Sequence, residues 1–278
     1  MTSKFFAVMA VGIGALLTPA AWAQQAGGHE AHVAAPAAPS PSPASGSRTT
    51  VASADEHSGH APLYFGAVLF DQLEMRSNGR GNPLFAWEGL GYYGNDYHRI
   101  WVNARGETNR DRGGLERAEV QALYSRLVGY YWDVQAGVRH DFQIDPRQGT
   151  PSRTYGVFGL QGLAPGFFEV QLHGFVSERG TLLARAAASY DLLITNRLIL
   201  QPEAELNFAA GRDSDALIAS GLYRVEAGLR LRYEITREFA PYIGYSYESY
   251  TGGAAGLSRR LGEKPSQSTV VAGIRLFF

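Results

Sequence analysis

The chain has 278 residues, with 25 Lys and Arg against 26 Asp and Glu and no cysteine. The near-zero net charge excludes a global basic field for nucleic acid. The lack of thiols excludes disulfides and thiolate metal sites.

The first segment reads as a targeting signal. Lys4 precedes the apolar run "FFAVMAVGIGALL" (5–17), and "AWA" (21–23) puts small residues at the −3 and −1 positions of a cleavage site. Residues 1–23 are therefore expected to be a signal peptide cut after Ala23; the apolar run is short for a membrane anchor. Past it no run of 18 apolar residues occurs, so any membrane crossing would be made by strands.

Residues 24–61 read as a disordered tail. "AAPAAPSPSPASGS" (34–47) is low in complexity and has almost nothing to bury. Four histidines flank it, His29 and His32 in "HEAH" and His57 and His60 in "HSGH". Each pair lies three apart on a flexible chain and can close on one ion. Imidazole suits Cu, Zn or Ni, and affinity for similar ligand sets peaks at Cu(II). Glu30, Asp55 and Glu56 offer added oxygens. The plainer alternative is a polar linker with incidental histidines.

From about residue 63 the texture changes to period-2 alternation broken by Gly, Pro, Asn and Asp. Strands are expected near 63–74, 83–92, 97–106, 116–128, 132–142, 153–162, 167–177, 181–191, 197–208, 220–234, 239–249 and 268–278. Most have the length that crosses a bilayer at a tilt. The connections alternate too. "GND" (94–96), "GYY" (129–131), "LAPG" (163–166), "LLITN" (192–196) and "ITRE" (235–238) are short, while "ETNRDRGGLE" (107–116) and "TGGAAGLSRRLGEKPSQS" (251–268) are long loops. Only "ERG" (178–180) breaks the pattern. Short turns at one rim and long loops at the other are the asymmetry of an outer-membrane barrel.

Aromatics gather at the short-turn rim: Tyr130, Tyr131, Trp132, Phe167, Phe168 and Phe239. Such rings tolerate the boundary between lipid and water. Val270, Ala272, Ile274, Leu276 and the terminal Phe278 share one face of the last strand. The expected fold is all-β: a transmembrane antiparallel β-barrel of about 12 strands over residues 62–278 in the bacterial outer membrane, with the N-terminal tail in the periplasm. A soluble β-sandwich also alternates, but the signal peptide, loop asymmetry and terminal aromatic disfavour it.

Alternation then assigns faces. In "GLRLRYEITREFAPYIGYSY" (228–247), Leu229, Leu231 and Tyr233 share one face, and Arg230, Arg232 and Glu234 the other. A charge on the lipid face near the midplane costs about 2–4 kcal/mol, so the charged row faces the lumen. Asp133, Gln135, Arg139, Asp141, Gln171, Arg185, Asp191, Gln201, Glu203, Glu205, Asn207 and Arg275 are expected to join it. A small barrel filled this way is largely plugged by ion pairs.

Within the lumen, His173 shares its strand face with Glu169, and Met75 lies at the end of the first strand beside Glu74. These three are candidate metal ligands. The competing reading is an ion-pair network in which His173 is only hydrogen-bonded, and that reading is preferred. His98 and His140 fall near strand ends and suit interface roles. Asp213 and Asp215 offer too few oxygens for a Ca²⁺ site. Arg110, Arg112 and Arg117 are placed to meet lipopolysaccharide phosphates. A lipid hydrolase would need Ser and His within hydrogen-bond reach, and no His-x-Ser neighbour, G-x-S-x-G or phosphate loop occurs. The chain is expected not to be an enzyme, with a lipid-modifying barrel enzyme whose Ser and His meet across strands kept as the lesser alternative. A general small-solute channel or structural barrel is the other alternative.

Five stretches carry a resemblance to a family: "WDVQAGVRHDF" (132–142), "GLQGLAPGFFEVQ" (159–171), "YDLLITNRLILQPEAELN" (190–207), "GLRLRYEITREFAPYIG" (228–244) and "VVAGIRLFF" (270–278). Over most of residues 64–278 the chain resembles the copper resistance protein B family of outer-membrane barrels. The resemblance implies a role in copper tolerance, with copper ions captured by a periplasmic N-terminal tail. Outer-membrane lipid and a periplasmic copper-binding protein are the implied partners. The tail departs from the family's Met- and His-rich pattern in having no methionine. Thioether sulfur favours Cu(I), so its absence turns the expectation toward imidazole ligation of Cu(II). The loop "GGAAGLSRR" (252–260) also departs from the family.

Overall fold

The computed structural model describes residues 63–77, 79, 83–109, 114–142, 152–213, 218–262 and 264–278. The predicted signal and tail, with His29, His32, His57 and His60, lie outside the described residues, as do Arg110, Arg112 and Asp215.

Among the described residues thirteen strands and one helix follow in order: β1 (Phe65–Ser77), β2 (Leu84–Gly94), β3 (His98–Asn109), β4 (Gly114–Gly129), β5 (Trp132–Phe142), β6 (Arg153–Ala164), β7 (Phe168–Ser177), β8 (Leu182–Ser189), β9 (Leu192–Leu193), β10 (Leu198–Ala209), β11 (Gly221–Tyr233), β12 (Phe239–Tyr250), α1 (Gly252–Arg260) and β13 (Ser266–Phe277). All pairings are antiparallel between sequence neighbours, and two further ones close the circle. β13 pairs β1, and β10 pairs both β8 and β11. β9 pairs β10 beyond the end of β8, so the two short strands make one stave and the barrel has twelve. Among the described residues no helix is long and apolar enough to cross a membrane.

The expected alternation decides which side is wet. Arg230 and Arg232 are each 2% exposed, while Leu229 and Tyr233 on the same strand are 45% and 47% exposed. The molecule is thus polar inside and apolar outside, the reverse of a water-soluble fold. The terminal residue completes the seam: Phe278 donates its N–H to the Val68 carbonyl at 2.8 Å and accepts from Val68 N–H at 2.9 Å.

The structure departs from the sequence expectation in four places. The expected long loop 107–116 is largely strand, since β3 runs to Asn109 and β4 starts at Gly114. The connection 251–268 is not all loop. Residues 252–260 form α1, which packs on β11 and β12 through buried Ala254, Ala255 and Ser258, with Arg259 and Arg260 at its C-terminal, partially negative end. The eighth stave is interrupted at Tyr190 and Asp191, where Asp191 leaves the ladder to meet Arg232 at 2.8 Å. A β-bulge at Asp71 shifts the register of β1 against both neighbours. One extra residue flips every later side chain to the other face.

That bulge corrects the placement of Met75. Past it the buried positions of β1 are Gln72 and Glu74. Met75 is in register with Phe85, 38% exposed, and with the exposed Ala272. It faces outward, away from the lumen.

Candidate functional site

The lumen is organised in rows that run across the strands. One row is apolar. Tyr92, Trp101, Leu123, Gly137, Val157, Phe175, Leu183 and Ala209 are successive register partners from β2 to β10. Trp101, Leu123, Val157, Phe175, Leu183 and Ala209 are buried in one cluster. Guanidinium groups roof it: Arg139 and Arg185 lie 4.8 and 5.2 Å from the Phe175 centroid, and Arg99 lies 6.0 Å from that of Trp101. Cation–π contact lets a charge sit on an apolar row.

The next row holds His173. Arg99, Ser125, Gln135, Gly159, His173, Arg185, Asn207 and Arg224 are register partners from β3 to β11. β6 separates β5 from β7, yet His173 Nε2 donates to Gln135 Oε1 at 2.8 Å. Gly159 on β6 leaves the space, since a Cβ there would run into the His173 ring and the Leu172 carbonyl. Gln135 uses its own amide N–H toward Gln161 at 3.1 Å, so its oxygen faces the histidine. That bond leaves Nδ1 of His173 with the free lone pair.

Two carboxylates act as hubs. Glu119 is held by Arg105 at 3.2 Å and by Arg139 and Arg185 at 2.9 Å. Glu74 is held by Arg76 at 2.7 Å, Arg230 at 3.0 Å and the Tyr242 hydroxyl at 2.9 Å. Around them Arg105 reaches Glu205 at 2.9 Å, Arg275 reaches Asp71 at 2.9 Å, Arg224 binds Glu226 and Glu248, and Arg230 also contacts Glu203. A buried carboxylate is retained only when charge and hydrogen bonds compensate its lost hydration.

Beside this network lies a cavity of about 290 Å³, lined by nine carboxylates, five guanidinium groups and His173. The excess of carboxylates sets its chemistry, because most are already ion-paired and two are not. Among the described residues, Glu88 and Glu169 line the cavity without an ion pair. Unpaired carboxylates lining a cavity favour cations over anions.

Of the lumenal ligands expected from sequence, the cavity includes Glu169 and His173, on one face of β7, and not Met75. Among the described residues no three His, Asp or Glu side chains gather as a metal cage. His98 and His140 sit on the outer face, bonded to the Tyr124 hydroxyl at 2.5 Å and the Thr154 hydroxyl at 2.9 Å. Asp213 is taken up by an ion pair with Arg153. Glu88 was missed from sequence. Its signal was available, as the single charge in "LFAWEGLGYYG" at an inward position of β2.

The profile of the family described as "Copper resistance protein B precursor (CopB)" matches residues 64–278. Copper resistance protein B of Escherichia coli is 44% identical over 211 residues, covering 76% of this chain and 69% of that protein. A copper resistance protein B homolog of Pseudomonas syringae pv. tomato is 42% identical over 226 residues, covering 80% and 74%. Solved barrels are more distant. The NanC porin aligns with a TM-score of 0.48 at 13% identity and the KdgM porin with 0.46 at 12%, each over 76% of this chain and 99% of the porin. The long match and the two close relatives establish that this chain belongs to the copper resistance protein B family.

Proposed function

We propose that this protein resides in the bacterial outer membrane and contributes to copper resistance without making or breaking a bond in its substrate. A periplasmic tail, residues 24–61, captures copper through His29, His32, His57 and His60. The polar lumen then holds or passes the ion, with Glu169, His173 and Glu88 facing it from the cavity wall. Family membership supports the copper role. The apolar outer face of a closed barrel supports the membrane. The observation that carries the lumenal part is the cavity whose lining includes His173 and, among the described residues, two carboxylates without an ion pair. Cu(II) suits this donor set of imidazole and carboxylate better than Cu(I), which prefers sulfur.

The test is copper content and affinity of the folded protein in detergent, with and without residues 24–61, under Cu(II) and under reducing Cu(I) conditions. Copper bound by the whole chain and lost with the tail places the sites on the four tail histidines. Copper retained after truncation and lost in Glu169→Gln or His173→Ala places it in the lumen. No copper bound by any form, in either oxidation state, overturns the reading.

A further inference from the structure

The outer face of the barrel is apolar along most of its staves, and at one place it is built differently. His98, the first residue of β3, is the register partner of Arg126 on β4. Both are exposed and share the outward face with Ile100, Val102 and Tyr124. They lie at the short-turn rim: residues 95–97 join β2 to His98, and Arg126 is three residues before the end of β4.

Tyr124 and His98 form a fixed unit. The hydroxyl and Nδ1 are 2.5 Å apart, and the rings stack at 23° with centroids 5.9 Å apart. Exposed Tyr97 precedes His98, and exposed Tyr93 is in register with Ile100. Arg126 itself has no hydrogen bond or ion pair among the described residues, whereas Arg105, Arg139, Arg185, Arg230 and Arg232 in the lumen all meet carboxylates.

A guanidinium cannot shed its charge. On the lipid-facing side of a barrel it is tolerated near the headgroups and costly at depth. Its fork matches two oxygens of a phosphate, and tyrosine rings sit well at headgroup level. We propose that Arg126, His98 and Tyr124 form a binding site for the phosphate of one anionic phospholipid in the periplasmic leaflet. Arg126 forks the phosphate. The Tyr124 hydroxyl donates to Nδ1 of His98, which aims its Nε2–H at the same headgroup. Tyr93 and Tyr97 pack beside the glycerol and upper acyl chains. The site rests on the outer-membrane reading above and adds a ligand to it.

The experiment is native mass spectrometry of the detergent-solubilised full chain, titrated with phosphatidylglycerol or with phosphatidylcholine of the same acyl chains. The expected result is one phosphatidylglycerol retained in preference to phosphatidylcholine. Loss of a charge-assisted pair in Arg126→Gln should lower that affinity about tenfold or more. Arg126→Lys should recover part of it, and Arg197→Gln, at an exposed turn of the same rim, should change nothing. Unchanged retention in Arg126→Gln overturns the site, as does an equal loss in Arg197→Gln, which would mean diffuse rim charge. Displacement of the lipid by millimolar inorganic phosphate would make it a free-phosphate site and overturn the lipid assignment. Flotation of cell membranes separates the two levels. If the protein floats with membranes but Arg126→Gln keeps its lipid, only the site fails; if it does not float, the membrane reading fails.

Discussion

Glu74 and Arg230 stand 156 residues apart in the chain and meet across the closing seam at 3.0 Å, with β12 and β13 between their strands. Glu74 has no exposed surface, and Arg76 and Tyr242 complete its shell. Glu74→Ala leaves two guanidinium groups short of their carboxylate. The expected loss is about 3–5 kcal/mol, the usual result of breaking a buried pair from one side. Urea unfolding in lipid vesicles measures it. Glu74→Ala with Arg230→Met should recover only part of the loss, because the Arg230 charge is gone but Glu203 loses its ion pair with it. A double variant no more stable than Glu74→Ala would contradict this account.

Glu119 and Glu88 are neighbours through Arg105, being its register partners on either side, and they should behave oppositely. Glu119→Gln removes the common partner of Arg105, Arg139 and Arg185 and should destabilise by about 3 kcal/mol or more. Glu88→Gln breaks no ion pair and should stay within about 0.5 kcal/mol. The same unfolding assay separates them, and equal effects would refute the division between paired and unpaired carboxylates.

Gly159 is predicted to be intolerant of a methyl group. Gly159→Ala forces the His173 ring from Gln135 and strains the β6–β7 ladder, at about 1–3 kcal/mol for overpacking. Combining it with His173→Ala should relieve only part of the strain, since the Leu172 carbonyl remains in the way. Full relief in the double variant would mean that the ring alone sets the constraint.

Met75 offers a negative control for lumenal copper. Because the Asp71 bulge turns it outward, Met75→Leu should leave copper retention by the barrel unchanged. A volume-conserving apolar swap should cost under about 1.5 kcal/mol. Copper retention that falls in Met75→Leu would place the thioether at the site after all.

Much of the barrel is legible in one dimension because strand pairing is local. Each stave pairs with the next through a turn, and period-2 patterning states which side chains face inward. Hence Arg230, Arg232, Glu203, Glu205 and His173 could be assigned to the lumen from alternation alone. Alternation misleads where one extra residue breaks it. Nothing in "FGAVLFDQLEMRS" marks Asp71 as a bulge, and Met75 was carried to the wrong side. It also gave no hint that 252–260 would coil into α1, whose buried face is made of two alanines and a serine.

The sequence by itself determined a closed, polar-cored, apolar-jacketed barrel and membership of the copper resistance protein B family, because both depend on patterns that run along the chain. Only the tertiary structure decided which lumenal charges satisfy one another. Glu119 finds three arginines on β3, β5 and β8, and Glu74 finds Arg230 three staves round. Among the described residues Glu88 and Glu169 find none. Such pairings depend on barrel closure and shear, which set the height at which distant strands face each other across the lumen. Arg126, placed on the outer face by the alternation of β4, has no ion pair among the described residues.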